Sequence, residues 1–195
     1  MLDGRKTQTR RANVERWKHA KAGDRVWVRE ALCAYNLDLA GEFGLCEPLT
    51  ALDMTHCDVR ASYSADCTRC ITGDEFPLAW IWKRPALPAI YMPRSFSRFT
   101  LIVEGAKIER LQSISEEDAR AEGIERLRSG RGYYDPRFGH GGIHLGYFDT
   151  ARDAFETLWD SIHSNGAWHA NPWVAAISFS VIKANIDAVA ELERM

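Results

Sequence analysis

Residues 150–182 change hydrophobic period within one short stretch, and no other feature limits the fold as much. In ARDAFETLWDSI the apolar positions Ala151, Ala154, Phe155, Leu158, Trp159 and Ile162 recur at helical spacing behind a capping Thr150, which predicts a helix with one buried face. After the HSNGAWHANP turn, WVAAISFSVI alternates as a strand does. A helix packed on a strand-rich layer follows, so the chain belongs to the mixed α+β class.

Other segments extend the pattern. GDRVWVRE (Gly23 to Glu30) predicts a strand entered from a Gly-Asp turn, and VRASYSAD (Val59 to Asp66) alternates as a half-buried strand. SRFTLIVEGAKIERL predicts a long strand bent or bulged at Gly105. In SISEEDARAEGI, Ser115 precedes Asp118 by three residues in a near-match to a capping box, and Gly123 stops a short helix. Residues 31–62 show no sustained period and read as an acidic insertion. Residues 126–148, rich in Gly and aromatics, read as a second loop insertion, and residues 184–195 as a helical tail. Residues 1–183 are taken as a single domain.

At 195 residues the chain can bury a proper core, and a hydrophobic share of 46% with net charge -2 excludes a disordered chain. No apolar run approaches the ~20 residues of a membrane span, and there is no signal-peptide pattern at the start, so a cytoplasmic protein without membrane association is expected. The charge is uneven: residues 1–29 hold nine Lys/Arg against three Asp/Glu, whereas residues 30–75 hold two against nine. Such a distribution either draws a polyanion to one face or is screened within the fold.

The first eleven residues, MLDGRKTQTRR, concentrate four cations, Arg5, Lys6, Arg10 and Arg11. Mutual repulsion among them is relieved if the lysine gives up its proton, and a neutral Lys6 could act as base or nucleophile beside a Thr hydroxyl. A basic tail facing solvent or phosphate is the plainer reading. MPRSFSR (Met92 to Arg98) predicts a strand entry or rim. Its Arg94, Ser97 and Arg98 either face a ligand, where the planar guanidinium suits phosphates and base edges, or pair with nearby carboxylates. Trp80, Trp82, Trp168, Trp173, Tyr91 and Tyr133 are potential stacking plates, each worth ~1–3 kcal/mol per base, or else core; Trp168 and Trp173 flank a turn and are the better ligand candidates. His140, His144, His163 and His169 show no catalytic spacing.

Five cysteines are an odd number without a secretory signal, so reduced thiols are expected. C-T-R-C at Cys67 and Cys70, with Cys57 and either His56 or Cys46, either holds a structural zinc or is a set of free thiols. No other cofactor is expected.

In content and order, GRKTQTRR, GDRVWVRE, YMPRSFSRFTLIVEGAKIERLQSISEEDARAEGI, ARDAFETLWDSI and NPWVAAISF resemble the phage- and prophage-type proteins of the ASCH superfamily. The resemblance leaves out about residues 31–62, 126–148 and 184–195. It implies a small PUA-like mixed β-barrel with flanking helices. One bacterial branch of that superfamily hydrolyses N4-acetylcytidine through a Lys and a Thr of a G-x-K-T-x-T-x-R motif and a Glu on a short helix. Carried over, the resemblance implies Lys6, Thr9 and Glu122 as reacting groups, and Arg5 or Arg11 as a hold on substrate oxygen. Arg94, Ser97, Arg98 and Trp173 join them as candidate contacts to RNA or a modified nucleoside. The alternative is a non-catalytic RNA- or nucleotide-binding module, or a ribonuclease of prophage origin.

Overall fold

The computed structural model describes residues 6–36, 59–63, 86–136 and 147–192. In chain order the elements are β1 (Gln8–Arg11), α1 (Val14–Trp17), β2 (Arg25–Trp27), β3 (Leu32–Asn36), β4 (Val59–Tyr63), β5 (Ala86–Leu87), β6 (Thr100–Arg110), α2 (Glu116–Ala121), β7 (Glu125–Arg126), β8 (Tyr133–Tyr134), α3 (Ala151–His163), β9 (Trp173–Ile182) and α4 (Ile186–Leu192). This is the mixed α+β class. No described helix is long and apolar enough to cross a membrane. Where the sequence reads as one domain over 1–183 with a tail, the residues group into two compact units: Met1–Val26 with Leu101–Ile182, and Trp27–Thr100 with Lys183–Met195.

The first unit is built on a sheet with strand order β1-β9-β6-β2. β1 and β9 run antiparallel with Gln8 opposite Ser178, Thr9 opposite Ile177 and Arg10 opposite Ala176. Among the described residues no pairing joins β1 to β2, so the sheet is open, with those two strands at its edges, rather than a closed barrel.

Alternation along β9 sorts side chains onto two faces. Val174 packs with Phe155, Leu158, Trp159 and Trp168 of the α3 region, whereas Ala175 and Ile177 pack with Val103, Trp17 and Val26. The helix forms where its period predicts, with Thr150 Oγ1 accepting from Asp153 N at 3.1 Å. β6 runs unbroken over eleven residues, yet its two ends serve different faces. Val103 meets Ala175 and Ile177, while Lys107 and Glu109, an even number of residues on, reach Asp118 and Arg10 on the opposite side. Strict two-residue alternation in a flat strand does not do both.

In the second unit β3 pairs antiparallel with both β4 and β5. The aperiodic insertion expected over 31–62 therefore contains a central strand. Its period is hidden because Leu32, Cys33 and Ala34 are all buried, and a strand covered on both faces has no polar positions to alternate with. MPRSFSR forms a 3-10 turn at Arg94–Phe96 instead of a strand entry, Pro93 being at its N-cap. The strand expected from Gly23 to Glu30 is three residues long. Within the loop expected over 126–148, β8 pairs with β7 and Tyr133 bridges Phe148.

Candidate functional site

The site is made where the chain ahead of β1 meets the end of α2. Ser115 Oγ accepts from Asp118 N at 3.1 Å and starts the helix. Gly123, at φ +105°, ends it in the left-handed region that glycine adopts without a Cβ penalty. Glu122 is the C-cap residue between them. Thr7 N donates to Ala121 O at 2.9 Å, which brings the chain before β1 alongside this helix end.

Lys6 and Glu122, 116 residues apart in sequence, are thereby in direct contact: Lys6 Nζ donates to Glu122 Oε2 at 2.8 Å and to the Glu122 carbonyl at 2.9 Å. The Lys6 stem lies 3.7 Å from where a Cβ at Gly123 would stand, an ordinary packing distance. Glu122's side chain is 3% exposed and Lys6's is 23%, so the pair lies at the wet rim of a dry interior.

Behind it lies an ionic network. Arg10, whose side chain is wholly buried, donates through Nη1 to Gln8 Oε1 at 2.6 Å and to Glu122 Oε1 at 3.3 Å. Through Nη2 it donates to Glu109 Oε1 at 2.7 Å and Asp118 Oδ2 at 2.9 Å. Lys107 Nζ reaches the same Asp118 oxygen at 2.8 Å and Glu109 Oε2 at 3.3 Å. Gln8 Nε2 bridges to Asp118 Oδ1 at 3.1 Å and to Ser178 Oγ at 3.3 Å. Burial pushes the Asp118 carboxyl upward, but hydrogen bonds from Lys107 and Gln8 and the charges of Arg10 and Lys107 outweigh it and hold the group below its ordinary value. The hydrogen bond to Asp118 raises Lys107.

The structure joins Lys6 to Glu122 and turns Thr9 elsewhere. Thr9 lies opposite Ile177 in the ladder, hence on the face shared with Val103 and Trp17, while Gln8 and Arg10 take the α2 face. Of the four cations, Lys6, Arg10 and Arg11 are described and do not crowd one another, since carboxylates stand among Lys6 and Arg10 and alternation sends the exposed Arg11 to the other face. Arg5 lies outside the described residues, as do Cys46, His56, Cys57, Cys67, Cys70, Trp80, Trp82, His140 and His144. Among the described residues no His, Cys, Asp and Glu cluster could hold a metal ion.

Arg94, Ser97 and Arg98 belong to the second unit and are engaged there. Arg94 Nη2 donates to Asp187 Oδ1 at 2.8 Å, and the hydrogen bond holds the Asp187 carboxyl below its usual range. Arg98 grips Glu30 with two bonds of 2.9 and 2.8 Å. Buried Ser97 donates to Phe99 O at 3.0 Å. The two tryptophans flanking the HANP turn part ways: Trp168 is 4% exposed and belongs to the core, whereas Trp173 is 53% exposed and is stacked by Arg110 at 4.6 Å.

Sequence reasoning passed over Arg10, Gln8, Glu109 and Asp118 as site residues. One signal was present: Lys6, Gln8 and Arg10 alternate in a strand-like stretch and so share a face. No protein-family model, curated protein or solved structure matches the chain.

Proposed function

We propose that this is an ASCH-type protein, built on the PUA-like plan and working in the cytoplasm, that binds a modified nucleoside or RNA and hydrolyses an N4-acylcytidine-like amide at Lys6 and Glu122. The observation that carries the reading is the 2.8 Å pair between Lys6 Nζ and the buried Glu122 carboxylate, two of the residues that the resemblance implies as reacting groups. An amine and a carboxylate beside one acyl carbon divide the proton transfers of amide hydrolysis. Glu122 takes a proton from water as its oxygen adds to the acyl carbon. Lys6 steadies the oxygen that becomes anionic, the proton passes to the departing N4, and the C–N bond breaks to give the free amine and a carboxylic acid. Water is the attacking group, because Thr9 lies on the other face of β1.

A second reading, RNA or nucleotide binding without turnover, draws on Trp173, exposed and stacked by Arg110. Incubating the protein with N4-acetylcytidine and following cytidine by chromatography separates the two. Hydrolysis gives cytidine with the wild type and none with Lys6→Ala; binding alone gives no product and an oligonucleotide affinity that falls steeply with salt.

A further inference from the structure

Resting on that reading of the Lys6 and Glu122 pair, we propose that Arg10 is its positioning residue, holding one carboxylate oxygen of Glu122 so that the other is presented to Lys6. The two oxygens are divided: Oε1 accepts from Arg10 and Oε2 from Lys6. A carboxylate on a flexible side chain can rotate and exchange its oxygens; a planar guanidinium braced on its other sides fixes the plane in which it lies. Arg10 is so braced by Gln8 on Nη1 and by Glu109 and Asp118 on Nη2, with its guanidinium carbon 5.9 Å from the Phe155 ring centroid.

Burial decides between a substrate contact and a support. Arg10's side chain is wholly covered, so it acts through Glu122 and touches no ligand. Among the described residues its buried Nε has no hydrogen-bond partner, so its hydrogen bonds all come from the terminal nitrogens. The facing groups are Lys6, Gln8 and Arg10 from β1 and the chain before it, Lys107 and Glu109 from β6, and Asp118 and Glu122 from α2. Among the described residues three cations thus face three carboxylates. Among the described residues, Lys6 reaches only Glu122 and Lys107 only Glu109 and Asp118, while Arg10 alone bonds all three carboxylates. Lysine at this position would keep the charge and lose the fork.

The test uses Arg10→Lys and Gln8→Leu, the latter removing the 2.6 Å brace and no charge, with Glu122→Gln as the reference for a broken pair. The first readout needs no substrate: the 1H–15N signal of the Lys6 ammonium, whose protons exchange slowly while held between two oxygens. The signal should be present in the wild type, lost in Glu122→Gln, and lost or severely broadened in Arg10→Lys. The second readout is N4-acetylcytidine turnover, where kcat should fall about 10- to 100-fold with KM little changed, as for a displaced reacting group. If Arg10→Lys does not fold, Gln8→Leu decides by the same signs. A wild-type Lys6 signal in the variant overturns the proposal whatever the turnover. A wild type that makes no cytidine but shows the expected signal pattern leaves the positioning role standing and removes only the hydrolase reading.

Discussion

Arg10 and Arg11 are sequence neighbours with opposite surroundings. Arg10 is sealed among three carboxylates, while Arg11 is exposed at the end of the same strand. Breaking a buried charge set from one side leaves the remaining charges without compensation, which costs far more than the pairing itself contributed. Arg10→Met should therefore lower unfolding free energy by about 3–5 kcal/mol, read from the shift of the denaturant midpoint. Arg94→Ala is the contrasting case: its bond to Asp187 is tight but lies in solvent, and the midpoint should barely move.

At the scale of elements, the site depends on the two ends of α2. Ser115→Ala removes the oxygen that starts the helix, and the cost should be about 1 kcal/mol. Gly123→Ala meets no steric wall, but φ +105° penalises any Cβ, and about 1–2 kcal/mol is expected from thermal unfolding. Both ends were legible in the letters, because capping is local: Ser115, Asp118 and Gly123 lie within nine residues. The same holds for α3 and β9, whose periods are long and one-sided. β3 was not legible, since Leu32, Cys33 and Ala34 are buried together and leave no alternation. Arg10 escaped for a different reason. A count of cations treats Arg5, Lys6, Arg10 and Arg11 as one group, whereas pairing of β1 with β9 separates Arg10 from Arg11 by parity, and the carboxylates that meet Arg10 come from residues 109, 118 and 122.

For the whole molecule, the same network sets how stability responds to pH. Asp118 titrates below its ordinary 3.8 in the folded protein, so its contribution is present above that value and is lost as pH falls through the folded one. Lys107 titrates above its ordinary 10.5, so its contribution is full below 10.5 and is lost as pH rises through the folded value. The thermal midpoint should be level with respect to both groups between these limits. In a pH series, the gap between the wild type and Asp118→Asn should stay constant through neutrality and narrow below 3.8.

On the proposed function, Lys6 and Glu122 form one reacting unit. Groups that act as a unit are not additive, so losing the second should cost little once the first is gone. The direct measurement is the rate of cytidine release from N4-acetylcytidine by the wild type, Lys6→Ala, Glu122→Gln and the double variant, each checked for folding by circular dichroism. Cytidine is expected from the wild type, almost none from either single variant, and a double variant no worse than the singles. No cytidine from the wild type at enzyme concentrations equal to the substrate, or undiminished release by folded Lys6→Ala, contradicts the proposed function.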